Sequence, residues 1–386
     1  MSDPARGFPV AEYRARLERA QRRMGQADLD ALLLTTEADL RYFTGFLTRF
    51  WESPTRPWFL ILPAAGQPVA VIPAIGAPLM ARTWITDIRS WPSPAPGDDG
   101  VTLLAETLTE LLGPRARVGL PMGPESHLRM PLADWARVQA LSGLSFTGGS
   151  RIVADLRAIK SEAEIDRIRA ACAVADRAFA RVPEIARAGI GLDRVFRDFQ
   201  RLCLEEGADW VPYLAGAAEQ GGYEDVISPA GPEPLQPGDV LMLDTGLVRD
   251  GYFCDFDRNF AVGPPSAAVR TAHAALIEAT QEAALQARPG QTAAGLHQVL
   301  TQALARHGTP GGGRLGHGLG MQLTEGLSLI PDDHSPLVAG MVLTLEPGIE
   351  LSPGRLMVHE ENIVIRDSGA EFLSTAAAPE IPVLEA

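Results

Sequence analysis

Apolar positions along the chain follow two different periods, and the change from one to the other divides it. Residues 11–24 carry apolar side chains at the spacing of one helical face, and the run 31–35 that follows is short and apolar. A helix and then a strand are expected. The runs 58–62 and 68–72 are β-rich and are separated by Ala64-Ala65-Gly66-Gln67, which predicts a hairpin or near neighbours in one sheet. A helix at 103–112 and a strand at 118–121 follow. This alternation predicts an α/β domain, residues 1–155.

Residues 156–386 read as a second, α+β domain. Ser161-Glu162-Ala163-Glu164 is a capping box, and Ile165, Ile168, Cys172 and Phe179 behind it share one helical face. A second helix is expected after Gly189-Ile190-Gly191, with Leu192, Val195, Phe196, Phe199 and Leu202 apolar. The Gly- and Pro-rich stretch 215–237 reads as a loop. Helices are expected at 267–287 and 293–307, separated by Pro289-Gly290. The runs 240–244, 342–346 and 362–365 are short β candidates.

Composition narrows the possible partners. The 386 residues are 46% hydrophobic and 21% charged, an ordinary globular balance, with a formal net charge of −14. That charge argues against nucleic acid or an anionic membrane as partner. No run reaches the length of a membrane span, and the first residues lack an apolar signal core. Cys172, Cys203 and Cys254 are too scattered for a disulfide framework or a CxxC metal site. They are expected as buried free thiols in a cytoplasmic protein. Lys160 is the only lysine.

Candidate chemistry concentrates in the second half. Asp244, Asp255, His317, Glu346 and Glu360 are oxygen and imidazole donors, each in a sequence suited to holding a side chain still. Asp244 ends an apolar run, and Gly246 and Gly251 permit the chain to turn back towards Asp255. His317 lies between Gly316 and Gly318, and Glu346 precedes Pro347-Gly348. Glu360 and Glu361 are adjacent, so on a strand only one of them can face a given site. Taken singly, each donor has a plain structural explanation: a turn cap, an ion pair with Arg258, a satisfied loop histidine. Together they suit harder divalent ions, or a catalytic zinc, better than structural zinc, which prefers thiolates.

The order of these donors resembles the pita-bread metallopeptidase superfamily, in its aminopeptidase P, prolidase and creatinase branch. The matching stretches are Asp244-Thr245-Gly246 to Gly251-Tyr252-Phe253-Cys254-Asp255, then Gly316-His317-Gly318-Leu319-Gly320, then Glu346-Pro347-Gly348, then Glu360-Glu361. The resemblance extends over the N-terminal region and the Ile159-Lys160-Ser161-Glu162 linker. It implies a creatinase-like α/β domain followed by a pita-bread catalytic domain. It also implies two divalent ions, with Mn²⁺ favoured and Zn²⁺ or Co²⁺ as alternatives. Asp244 would bind one ion, Asp255 and Glu360 both, and His317 and Glu346 the second. The activity implied is hydrolysis of Xaa-Pro peptides or dipeptides by metal-activated water, with Glu346 as proton shuttle, in a homodimer.

The chain departs from that pattern at several points. The family has a histidine ahead of the first aspartate strand, whereas here no histidine falls between His127 and His273, and Ser228-Pro229 lies near its place. Thr324-Glu325 stands where the family has a histidine–glutamate pair, and Asp255-Phe256-Asp257-Arg258 carries Asp257 in place of threonine. Val358 stands where an arginine often precedes the last glutamate. Thr324 and Arg258 join Glu346 as candidate catalytic residues. Without the two histidines, an alternative is a creatinase- or ectoine-hydrolase-like enzyme, or a lyase, acting on a small zwitterion. A binding module without catalysis is the third reading, and retention of all five donors disfavours it. In the aromatic segment 48–58, Arg49 or Arg56 could pair with a substrate carboxylate.

Overall fold

In the computed structural model the first periodic stretch is a helix, α1 (Val10–Gln26), which buries Tyr13, Leu17, Ala20 and Met24 along one stripe. The structure describes residues 6–53, 57–123, 126–148, 151–308 and 312–386. They fall into two compact units, Ala5–Arg157 and Ala158–Ala386.

In the first unit, β1 (Ala31–Leu34) is followed by α2 (Glu37–Thr44), β2 (Phe59–Pro63), β3 (Val69–Pro73) and α3 (Ala77–Met80). Then come β4 (Asp87–Trp91), α4 (Val101–Leu112), β5 (Arg117–Gly119), α5 (Leu132–Ser142), β6 (Ser145–Thr147) and α6 (Ile152–Ala158). The strands form one mixed sheet in the order β4-β3-β2-β1-β5-β6. β2 and β3 are the expected antiparallel pair. Leu104 and Leu108 of α4 join Leu33, Phe59, Ile61, Val71 and Val118 of the sheet in one apolar core. Slight burial is one reason an element leaves no sequence signal. α5, for example, buries only Val138, so its sequence carries little helical periodicity.

The aromatic segment packs inward. Trp51 and Trp58 lie 5.7 Å apart, and the Arg129 guanidinium sits 5.1 Å over the Trp51 ring. Arg49 pairs with Glu52 at 2.9 Å. Arg56 lies outside the described residues.

The second unit opens with α7 (Glu162–Ala180), where both hydrogen bonds of the capping box are formed on Ser161. Glu164 of that box also accepts from the Tyr252 hydroxyl at 3.0 Å. The start of the helix is thereby tied to the turn between Asp244 and Asp255. α8 (Leu192–Glu206), β7 (Trp210–Gln220), β8 (Asp239–Arg249), β9 (Tyr252–Phe253) and β10 (Phe256–Val262) follow. Phe179 packs on Phe199 at 4.9 Å and on Phe256 at 5.3 Å, joining the two helices to β10. Burying a side chain of this size stabilises the fold by about 1.5–3 kcal/mol.

The stretch expected as a loop from residue 215 is a strand as far as Gln220, since Ala215–Gln220 pairs with β8. The expectation failed because β7 is rich in alanine and glycine, with no apolar alternation. Gly216 is required there: its φ is +149°, and a Cβ would run into the Met242 carbonyl.

The remaining elements are α9 (Ala267–Gln286), α10 (Ala293–Ala305), β11 (Val342–Leu345), β12 (Gly348–Ser352), β13 (Arg355–Val358), β14 (Glu361–Arg366), β15 (Gly369–Phe372) and β16 (Val383–Leu384). The strands form sheets ordered β16-β10-β8-β7, with β9 on β8, then β11-β14-β15, and a β12-β13 pair.

On α9, His273 is buried with Nε2 3.1 Å from the Ala378 carbonyl. Burial, and then the nearby His359 ring, push its pKa from 6.5 to about 4. Between those values the unfolded chain takes up a proton that the folded chain refuses. Stability from this group is therefore present above about pH 6.5 and lost as pH falls towards 4, by up to about 3 kcal/mol. In urea unfolding, the stability deficit of His273→Gln should shrink over that window. A deficit that stays constant from pH 7 to pH 4 would refute this assignment.

Candidate metal centre

Three backbone constructions converge at one place. The first is the pair β8 and β10, which run antiparallel with Asp257 opposite Asp244. β8 carries Asp244, and Asp255 enters just ahead of β10. The second is the glycine-flanked segment around His317, which runs alongside β11. The Thr344 N–H donates to the His317 carbonyl at 2.7 Å, and the Glu346 N–H to the Leu315 carbonyl at 2.9 Å. These bonds set His317 beside the end of β11, where Glu346 emerges. Gly316 makes the approach possible, because its φ is +144° and a Cβ would run into the Thr344 carbonyl oxygen. The third is β14, which pairs with β11 and brings Glu360, the residue before it, to the same spot.

A single side chain latches two of these constructions together. Asn362 of β14 accepts the Asp255 N–H at 2.9 Å and donates to the Asp255 carbonyl. Its Oδ1 also lies 3.3 Å from the Cys172 thiol of α7.

Asp255, His317, Glu346 and Glu360 each present a ligand atom within 4.8 Å of the others. His317 Nε2 lies 2.9 Å from Glu346 Oε1 and 3.3 Å from Asp255 Oδ2. Its Nδ1 lies 3.0 Å from the Gly318 carbonyl. A ring that donates from Nδ1 to a carbonyl keeps the Nε2 lone pair for an ion when neutral. Asp244 is outside the group of four but coupled to it: its carboxylate takes a hydrogen bond from the Tyr213 hydroxyl and feels the charges of Asp255, Asp257 and Glu346.

The electrostatics is that of a site short of positive charge. Burial, then Asp255 and its other acidic neighbours, hold Asp244 and Glu360 well above the carboxylate range. Burial pushes Asp255 up to about 6. Burial works against a charged His317, but Asp255 and Glu346 outweigh it and push the imidazole up to about 10. Glu346 moves the other way, its burial outweighed by the pairing with His317. Asp244 Oδ1 is buried without a hydrogen bond, while Glu346 Oε1 meets His317 Nε2. A buried oxygen left like Asp244 Oδ1 costs free energy unless a cation compensates it. Divalent ions fit these residues on donor type, on spacing and on the unsatisfied Asp244 oxygen.

Two other candidates take different positions. Thr324 is half-buried on the loop after Gly320, next to Glu325, whose carboxylate pairs with the buried Lys160 at 2.9 Å. Arg258 donates to the Glu360 carbonyl at 3.2 Å and to Glu361 at 3.0 Å, and its guanidinium lies 4.6 Å over Phe256. It holds the backbone of the last glutamate rather than joining the carboxylates. Of the adjacent pair, Glu360 faces the group and Glu361 faces Arg258 and Ser374. Sequence reasoning missed Tyr213 and Thr344, which hydrogen-bond Asp244 and Glu360, because neither residue type signals such a role.

A buried group of carboxylates and one imidazole, gathered between strands of a mixed α/β unit, defines a metal-dependent hydrolase of the pita-bread class. The chain belongs to metallopeptidase family M24, whose model matches residues 166–367, and carries a creatinase/prolidase N-terminal domain over residues 16–159. It is therefore an enzyme that hydrolyses peptide C–N bonds. A probable dipeptidase PepE of Mycobacterium tuberculosis is 31% identical over 94% of each chain. The crystal structure of dipeptidase PepE from Mycobacterium ulcerans superposes with a TM-score of 0.84 at 29% identity, covering 98% of this chain and 100% of that one. A Xaa-Pro dipeptidase of Pyrococcus furiosus is 28% identical over 58% of this chain and 65% of its own length.

Gly316→Ala should displace the His317 segment from β11. The expected result is a loss of about 1–3 kcal/mol in urea unfolding together with a lower metal content in the purified protein. If both are unchanged, the backbone there is not constrained as described.

Proposed function

We propose that this enzyme is a dipeptidase of the Xaa-Pro type that works with two divalent ions, Mn²⁺ favoured and Zn²⁺ or Co²⁺ as alternatives. Asp244 would hold one ion, Asp255 and Glu360 both, and His317 and Glu346 the second. In this reading residues 1–155 are the creatinase-like domain and residues 156–386 the catalytic domain. The observation that carries it is the convergence of four donors within 4.8 Å, beside an aspartate with an unsatisfied buried oxygen. The names of the similar proteins, dipeptidases in each case, support a dipeptide substrate over a small zwitterion.

When bound, such ions lower the pKa of water and polarise a carbonyl oxygen. The chain's own residues do the rest. Asp255 and His317 are nearly closed to solvent, whereas the Glu346 side chain retains 21% of its exposure. It is the most open of these three and the one suited to take a proton on its carboxylate and deliver it to a leaving amine. Tyr213 and Thr344 restrain Asp244 and Glu360, so little reorganisation is needed when charge develops. Thr324 is the candidate for a polar contact to substrate where the family's second histidine would stand. Arg258 acts through the backbone of Glu360.

We further propose a cytoplasmic homodimer. Three buried free cysteines favour a reducing compartment, and among the described residues no helix is long and apolar enough to cross a membrane. Sedimentation velocity tests the dimer.

The function itself is tested by stripping the protein with a chelator and titrating Mn²⁺ back. About two equivalents should bind, and turnover of Xaa-Pro dipeptides should return with them. Asp255→Asn and Glu360→Gln should each lower kcat by at least about 100-fold, since loss of an outer partner alone costs 10–100-fold. Turnover of N-acyl diamino acids or ureas, with none of dipeptides, would favour the small-zwitterion reading.

A further inference from the structure

We propose that His359, clamped between Asp257 and Glu361, is a positioning residue that presents the Glu360 carboxylate to the metal centre. The inference rests on the metal reading above and concerns residues outside the five donors.

Three ionisable side chains lie next to Glu360 in the fold, and all are almost completely buried: Asp257 at 0%, His359 at 1% and Glu361 at 1% exposure. His359 reaches both carboxylates. Its Nδ1 lies 3.3 Å from Asp257 Oδ1 and its Nε2 3.3 Å from Glu361 Oε1. Each carboxylate is in turn bound to the backbone around the metal centre. Asp257 Oδ1 accepts the Glu360 N–H at 2.8 Å. Glu361 accepts the Ala377 N–H at 2.8 Å and Arg258 at 3.0 Å. Arg258 also donates to the Glu360 carbonyl. The N–H, the carbonyl and, through Thr344, the carboxylate of Glu360 are all held.

The imidazole has a role that a purely apolar filler could not take. Without it Glu361 would still have Arg258, but Asp257 would lose its main side-chain partner beside a cluster already crowded with carboxylates. A buried carboxylate without its partner moves towards another one, and movement of Asp257 would release the Glu360 N–H. The contact is also imperfect as a stabilising device, because Asp257 Oδ2 and His359 Nδ1 satisfy no hydrogen bond. The arrangement fixes the position of Glu360 better than it maximises bonding. On its other side His359 lines a cavity of about 510 Å³, together with Arg258, Phe179, Phe260 and His273. Removing the ring would leave space for water rather than a collapsed core.

The test is Mn²⁺ affinity, measured by calorimetry on metal-free wild type, His359→Phe and His359→Gln, with the melting of each metal-free protein followed alongside. His359→Phe should remain folded and bind Mn²⁺ roughly 10–100-fold more weakly, with kcat reduced and KM little changed. His359→Gln, which can still reach one carboxylate, should recover part of the loss. It also serves as the readout if the phenylalanine variant does not fold. Folded variants that bind Mn²⁺ as tightly as wild type, whatever their melting temperature, would overturn the proposal. If wild type itself binds no divalent ion, the metal reading falls and this inference falls with it.

Discussion

The structure is organised around mutual repulsion of carboxylates that the fold forces together away from water. Asp244, Asp255, Glu346 and Glu360 come from three separate backbone segments and meet beside His317. Two unit charges ~4 Å apart repel by about 4 kcal/mol even at an effective protein dielectric near 20. His317 is the side-chain cation placed among them, and one imidazolium cannot offset four carboxylates. Asp244 and Glu360 respond by holding on to protons, and His317 by becoming more basic. A divalent ion removes the repulsion, so the same geometry that strains the metal-free site makes it a strong site for such an ion.

Holding repelling groups in place requires stiffness elsewhere, and the surrounding bonds supply it. Asn362 ties the backbone of Asp255 to β14. Backbone bonds seat the His317 segment on β11. Glu164 closes the capping box of α7 and also receives Tyr252 from the turn that leads to Asp255. Gly316 and Gly216 permit close backbone approaches that a side chain would block. Each support is local, yet together they fix five side chains from distant parts of the sequence.

The departures from the family pattern lie beside the five donors rather than among them. Asp257 and His359 face each other behind Glu360. Glu325 is turned to Lys160, the chain's one lysine. Ser228, near the place of the missing first histidine, has its N–H held by Asp225 at 3.0 Å. Peptide hydrolysis is settled by family membership, while neither of the two expected histidines is present in the chain.

Much of this was legible in the chain before any coordinates. The helix of α7 announced itself through its capping box, and β2 and β3 through their apolar runs, because burial and capping impose local patterns. The donors stood out because metal chemistry restricts residue type and glycine marks close approach. β7 was illegible, since alanine and glycine suit a strand only where a neighbour packs tightly against them. Tyr213, Thr344 and the His359 clamp were equally hidden, for the same reason. Their roles depend on which atoms face each other across strands, and hydrogen bonds between residues remote in sequence leave no periodic trace. Sequence alone determined the candidate donors and the segments that carry them. Only the tertiary structure decided which donors meet and which neighbours hold them, because burial and distance, not residue type, determine whether a carboxylate repels, pairs or awaits a cation.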